Sequence, residues 1–450
     1  MAAEPPAEPL WGAETAKAVE NFPVSGEPVP AAVIHWLARI KAAAAVVNAE
    51  LGLLDDDRAR RIAATADAVA AGDHDAHFPV DVFQTGSGTS TNMNANEVIA
   101  TLAGPDVHPN DHVNLGQSSN DVFPSAVHLA AVQQCEQSLV PALAGLHDAL
   151  DERARAFAEL PKAGRTHLMD AVPVTLGQEF AGYAAQVRLG IDRVSATLGR
   201  VGQIPLGGSA VGTGLNTHPD FAARVRERLA AELGSSVTAP ADAFEAQGAR
   251  DALVELSGAL KVVAVSLTKI ATDIAWMGSG PRCGLGEITL PELQKGSSIM
   301  PGKVNPVIPE VVCQVAAQVV GNDTAITIGA MQGNFELNVR VPLIARNLLS
   351  SIDLLASAST LFADRCIAGI EPVVERLRGY ADATLAAATA LNPAVGYDRT
   401  TELVHEAQAS GRSLREVALE AGIDPDTVDA ALDPLRLARG GVIEATDAAP

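Results

Sequence analysis

The chain has 450 residues, enough to bury a large core and divide into two or three domains, and far more than a small binding module needs. Its 32 basic against 54 acidic residues leave a formal charge of −22, which argues against nucleic acid or an anionic membrane surface as the main partner. An anionic substrate would need a local positive site against that background.

Residues 1–10 hold two Glu, three Pro and no Lys or Arg, so they have neither the charged start nor the apolar run of a signal peptide. No apolar run is expected to reach membrane-spanning length. Cys135, Cys283, Cys313 and Cys366 lie far apart with no C-x-x-C pair. That spacing fits a reducing cytoplasm, offers no iron–sulfur or zinc framework, and predicts four small buried apolar side chains.

Aromatic residues make up only 4% and alanine is abundant, with apolar residues at helical spacing over long distances, so the chain reads as predominantly α with few strands. Residues 1–116 combine a helix at 31–51 with loops rich in Gly, Thr and Asn. Helices are then expected at 125–160, 176–201, 242–277, 309–331 and 342–366, with Pro141 kinking or interrupting the first and Pro342 in the opening turn of the last. In 242–277, Phe244, Ala252, Leu256, Ala259, Val263, Leu267, Ile270, Ile274 and Met277 follow steps of three or four or their multiples. Such a helix would be roughly 50 Å long.

Five long helices close together predict a central bundle at 117–369. Its apolar stripes serve either as core within one chain or as contact between copies, and oligomerisation through the bundle is expected. From 370 to 450, shorter amphipathic segments broken by Asn392-Pro393, Gly411 and Pro425 predict a small C-terminal helical domain. No internal repeat or low-complexity linker is present.

The polar text is concentrated in four places. Gly296-Ser297-Ser298-Ile299-Met300-Pro301-Gly302-Lys303-Val304-Asn305-Pro306 combines hydroxyls, glycines, an ammonium and an amide, a composition suited to gripping a small anion. It is not a nucleotide P-loop: five residues separate Gly296 from Gly302, one of them Pro301, and Val304 stands where a magnesium-binding hydroxyl belongs. The other three clusters are residues 85–94 (TGSGTSTNMN), 117–121 (QSSND) and 164–167 (GRTH). Dense neutral donors of this kind suit a small dicarboxylate held by many hydrogen bonds, and each cluster alone also reads as a turn or helix cap. The first is not a dinucleotide fingerprint, since Thr91 occupies the place of the third glycine.

His167, in an Arg-Thr-His step expected just before a bundle helix, reads either as a structural or surface residue or as an acid or base working near neutral pH. Glu310 near a helix start either complements the helix dipole or orients that imidazole. No serine has a G-x-S-x-G setting, so hydrolase-type nucleophilic catalysis lacks its usual elbow. His74, His77, His108 and His112 invite a metal reading, but no H-E-x-x-H frame or carboxylate pattern fixes a geometry, so no metal is expected.

Taken together and in this order, the clusters resemble class II fumarases of the aspartase/fumarase superfamily, and are similar in particular to actinobacterial members. The likeness runs from Leu10-Trp11-Gly12-Ala13-Glu14-Thr15 to the Gly396-Tyr397 region, with the loop at 296–306 resembling the superfamily signature. It implies an all-α, three-domain subunit (1–116, 117–369 and 370–450), a homotetramer with a twenty-helix core, and active sites each built from three subunits. Ser297 would take a proton from carbon, and His167 would bind and activate water with Glu310 as its carboxylate partner. Ser87, Gly88, Thr89, Ser118, Ser119, Asn120, Thr166, Ser298, Lys303, Val304 and Asn305 would hold the substrate carboxylates. No cofactor is implied. His108-Pro109-Asn110-Asp111 resembles the family's second carboxylate site, with His112 replacing a commoner Asp and Pro105 standing where some members have Arg.

The activity so implied is reversible interconversion of malate and fumarate, and the alternative is an ammonia-lyase acting on aspartate or another dicarboxylate. His167 and Gly302 are the fumarase-like choices, whereas residues 307–312 (VIPEVV) have an aspartase-like character.

Overall fold

A computed structural model describes residues 8–441. The expectations for residues 1–7 and 442–450, including most of the leader reading, lie outside the described residues. The fold is predominantly helical, and three of the long helices fall within two residues of their expected bounds: Leu176–Val201, Val307–Ala330 and Val341–Arg365. The N-terminal helix Ala31–Glu50 likewise matches its expected span.

The chain divides into two compact units, one formed by Met1–Ala142, Gly190–Val265 and Gln314–Ser357, the other by Leu143–Leu189, Ser266–Cys313 and Ala358–Pro450. In the first, Ala31–Glu50 is largely buried, packing on Asp56–Ala70, Ser119–Gln134 and Phe221–Leu233, with one face, that of Ala32, His35, Arg39 and Val46, half-buried. In the second, the last helices close over their own core of Leu391, Leu403, Leu414, Val417 and Val428.

The first bundle helix runs as Ser119–Gln134, a π-helical turn at Cys135–Leu139, and Val140–Ala156. Pro141 accounts for the widened turn: it lacks an N–H, and its ring crowds the carbonyl four residues back. The expected 242–277 helix is corrected to two, Ala243–Gly248 and Asp251–Met277, with Ala249 extended at φ −110, ψ 171. Arg250 stabilises the break by donating its Nη1 to the carbonyls of Ala246 and Ala249, taking up acceptors that a helix end leaves free.

Three further expectations need correction. Strand structure does occur at a critical place: Pro161–Thr166 and Met169–Thr175 pair as an antiparallel hairpin, with Thr166 opposite Met169. His167 therefore lies at a hairpin tip rather than directly before a helix. Membrane-spanning length is reached after all, by Ala31–Glu50, Val307–Ala330 and Val341–Gly369. Alanine and valine with few charges give these helices their hydropathy, and burial explains it for the first and third, whose apolar windows are 72% and 67% buried. Val307–Ala330 is only 33% buried and leaves Val311, Val320 and Ile328 exposed. Finally, Cys135 and Cys366 are buried but Cys313 is half-buried and Cys283 exposed, the latter because it sits in a loop after Asp251–Met277 and not on a helix face.

Candidate active site

The sequence clusters fall into two groups, one in each unit. In the first unit, Gly88 precedes the helix Thr89–Ala103 in the left-handed conformation, φ 78. Glycine is required there: a Cβ would stand 2.3 Å from the Phe123 ring. The turn it makes places Ser87 Oγ and Thr89 Oγ1 2.8 Å apart, while Thr85 Oγ1 accepts from the Ser90 N–H at 3.0 Å. Two half-buried hydroxyls are thus presented together at a helix N-terminus, a setting that favours an anion.

Ser118, Ser119 and Asn120 open the helix Ser119–Gln134 through a capping box in which the Asp121 carboxylate accepts from the Ser118 N–H at 2.9 Å. The other Asp121 oxygen accepts from the N–H groups of Gly207 and Ser209, both at 3.0 Å, and Asn120 Nδ2 donates to the Ala210 carbonyl at 2.8 Å. Burial pushes the Asp121 carboxyl up to about 6 in spite of these donors. Asp121 is a supporting residue that the motif reading passed over, although the Ser-x-x-Asp spacing before an apolar run announces it. Beneath the same cluster lies a second one, Lys41, fully buried and reaching Asn92 Oδ1 at 2.8 Å. A lysine in an alanine-rich helix gives no sequence sign of such a position.

In the second unit, the tip of the hairpin is a two-residue turn with His167 at φ 55 and Leu168 at φ 62. Both central residues in the left-handed region match the twist of paired strands, at a cost in strain for side chains larger than Asn. Thr166 and His167 are exposed. Among the described residues no hydrogen bond or ion pair joins His167 to Glu310 within the chain. Glu310 is exposed in the first turn of Val307–Ala330. The base of the hairpin is fixed: Arg165 Nη1 donates to the buried Glu287 carboxylate, and Lys162 Nζ lies 3.2 Å from its other oxygen.

The loop at 296–306 is closed at its neck. The Gly296 N–H donates to the Lys303 carbonyl at 3.0 Å, and Asn305 Nδ2 donates to the Gly296 carbonyl at 2.7 Å. A Cβ at Gly296 would fall 2.1 Å from the Lys303 oxygen, so the close approach needs glycine. Within the neck, Ser297 Oγ accepts from the N–H groups of Ile299 and Met300, each at 3.2 Å. Ser298, Lys303 and Val304 are exposed, Asn305 half-buried.

The second-site residues His108, Pro109, Asn110 and Asp111 open a single π-helical turn, Pro109–Val113, in the first unit. His108 Nδ1 accepts from the Asp111 N–H at 3.1 Å, and His112 Nδ1 accepts from the His108 N–H at 2.8 Å. His77 Nδ1 accepts from the Leu10 N–H at 3.2 Å. Among the described residues no group of three or more potential metal ligands converges.

Comparison with known proteins agrees with this architecture. A family model described as "Lyase" matches residues 1–321, and one described as "Fumarase C C-terminus" matches residues 388–439. Fold and matches together define a lyase. A class II fumarate hydratase of Mycobacterium tuberculosis (strain H37Rv) is 54% identical over 443 residues, covering 96% of this chain and 94% of that protein. One of Corynebacterium glutamicum is 52% identical, with the same coverage of each. The crystal structure of a class II fumarase from Schistosoma mansoni superposes with a TM-score of 0.94 at 37% identity and 96% coverage of both chains. A Brucella melitensis structure titled fumarate lyase:delta crystallin gives 0.93 at 45%, again with 96% coverage of both. The chain belongs to the class II fumarate hydratase family.

Proposed function

We propose that the chain interconverts L-malate and fumarate, with Ser297 as the base toward carbon. The observation that carries the assignment is the pair of backbone N–H groups, from Ile299 and Met300, that converge on Ser297 Oγ. Donors aimed at that oxygen stabilise its deprotonated form. In the dehydration direction the Ser297 alkoxide removes a proton from the carbon beside one carboxylate, and negative charge builds on that carboxylate. The C–O bond at the neighbouring carbon then breaks, the electron pair forms the double bond, and hydroxide leaves as water with a proton from His167. Glu310, reached from another copy of the chain, orients His167.

Lys303, Val304, Asn305 and Ser298 hold one end of the substrate. Ser87, Gly88, Thr89, Ser118, Ser119, Asn120 and Thr166 supply the remaining grip. Their hold must tighten as charge develops, since only interactions stronger in the transition state raise the rate, about 1.4 kcal/mol for each tenfold. His108, Pro109, Asn110 and Asp111 form a second carboxylate site in the same proposal.

A homotetramer with shared sites is part of this reading. It is supported by the apolar residues that two long helices leave exposed, Val262, Val265 and Trp276 on one and Val311, Val320 and Ile328 on the other. The three-domain division at 116 and 369 is supported at its C-terminal end by the separate core around Leu403 and Val417. A cytoplasmic location is supported by the four thiols spread singly along the chain.

The test is the ultraviolet absorbance of chelator-treated protein given L-malate or L-aspartate. Fumarate from malate alone is expected. Fumarate from aspartate alone would replace this reading by an ammonia-lyase.

A further inference from the structure

Lys41 is fully buried, and among the described residues no ion pair joins it to a carboxylate. Asp121 acts on it through space only. Its Nζ instead donates to three amide oxygens, Asn92 Oδ1 at 2.8 Å, Gln117 Oε1 at 3.3 Å and Asn114 Oδ1 at 3.4 Å. An ammonium has three hydrogens and no acceptor, so each amide must face it with oxygen, and that requirement fixes the amide orientations. The NH2 group of Asn92 is thereby turned away from Lys41. It donates to Ser119 Oγ at 2.9 Å and to Asn114 Oδ1 at 3.2 Å.

Ser119 now receives a hydrogen bond from Asn92, and its own single hydrogen must be given elsewhere. A half-buried hydroxyl held in that way is a donor on its open side. We propose that Lys41 is a positioning residue for the reaction, fixing Ser119 through Asn92 as a donor toward a substrate carboxylate. The inference rests on the reading that residues 118–120 hold a carboxylate.

Two physical considerations favour it. A buried ammonium without an ion-pair partner is costly, and an apolar side chain of similar length would suit a fully buried position better. The cation also polarises Asn92, and hydrogen bonds in such a chain strengthen one another. Burial pulls Lys41 down to about 7, so an arriving carboxylate that favours its charged form has leverage on it at neutral pH.

The deciding experiment is steady-state kinetics with L-malate on Asn92→Asp, Lys41→Met, Ser119→Ala and the double variant Lys41→Met/Ser119→Ala, with fold checked by circular dichroism. Asn92→Asp keeps a partner for Lys41 but only accepts, so it draws the Ser119 hydrogen inward. KM is expected to rise about tenfold or more with a smaller change in kcat, since a hydrogen bond to a charged group is lost. Lys41→Met should shift KM the same way, and the double variant should be no worse than Ser119→Ala alone. If Lys41→Met does not fold, Asn92→Asp decides. A raised KM in Ser119→Ala with an unchanged KM in Asn92→Asp would overturn the relay and leave the carboxylate grip standing, as would additive losses in the double variant. An unchanged KM in Ser119→Ala would overturn the grip itself and the relay with it.

Discussion

Arg165 donates to Glu287 at 2.9 Å, and Glu287 has no exposed surface. The bond joins the first strand of the hairpin to a carboxylate that also faces Lys162, and the Arg165 guanidinium lies 5.5 Å from the Tyr380 ring centre. Arg165 is therefore committed inward, and in the proposed mechanism the substrate-facing duty falls to Thr166 and His167 beyond it. Removing the shared acid takes from Arg165 the carboxylate it pairs with and leaves Lys162 to Glu179. Glu287→Ala is expected to cost about 3–5 kcal/mol of stability, read as a lower urea midpoint, with Glu287→Gln costing less. An unchanged midpoint for the alanine variant would mean that the hairpin is anchored elsewhere.

His167 occupies a left-handed position, which narrows the choice of a clean variant. Asn tolerates φ 55 better than other polar residues, so His167→Asn should preserve the turn while removing the imidazole. Turnover should fall about 10²–10⁴-fold, the usual contribution of a positioned acid or base, with the circular dichroism unchanged. Near-normal turnover would dismiss His167 from catalysis.

Ser297 and Lys303 share one loop and should fail differently. Ser297→Ala removes the proposed acceptor of the carbon-bound proton and should lower kcat with little change in inhibitor binding. Lys303→Ala removes a charge and should weaken binding of a dicarboxylate inhibitor about ten- to a hundredfold. Calorimetric titration of both variants separates the roles, and a Lys303→Ala protein that bound as tightly as the parent would place the carboxylate elsewhere.

His128 offers a test of stability against pH. Its ring is buried, with Nδ1 2.7 Å from the Val201 carbonyl, and burial holds it down to about 4 against an ordinary 6.5. The unfolded chain takes up a proton as pH falls through 6.5, and the folded chain does so only near 4. The contribution to stability is thus present above pH 6.5 and is lost between 6.5 and 4, approaching roughly 3 kcal/mol at the acid end. Urea midpoints of the parent and His128→Gln across that window should converge as pH falls. Parallel curves would contradict the assignment.

The long helices were legible because their apolar spacing is a property of the chain itself, as at Leu176–Val201, where the expected and observed bounds coincide. The hairpin was not, because Lys162, Gly164 and Arg165 break the alternation that marks a strand, and a His-Leu turn carries none of the usual glycine or asparagine. Ser118 and Asp121 announced a cap by their spacing, but the tie from Asp121 to Gly207 and Ser209 is a tertiary fact. Lys41 is the clearest case: only the fold reveals that the face of Ala31–Glu50 that carries it is covered.

The neck between Gly296 and Lys303 makes the intervening tip a unit whose outermost side chain is independent of the frame below. Backbone and amide bonds at Gly296, Lys303 and Asn305 define its two attachment points, while the Ile299 side chain at the tip is 83% exposed and only its backbone N–H reaches back, to Ser297 Oγ. The Ile299 side chain can therefore be exchanged for a cysteine that carries a reporter label, while the backbone N–H groups of Ile299 and Met300 go on holding Ser297.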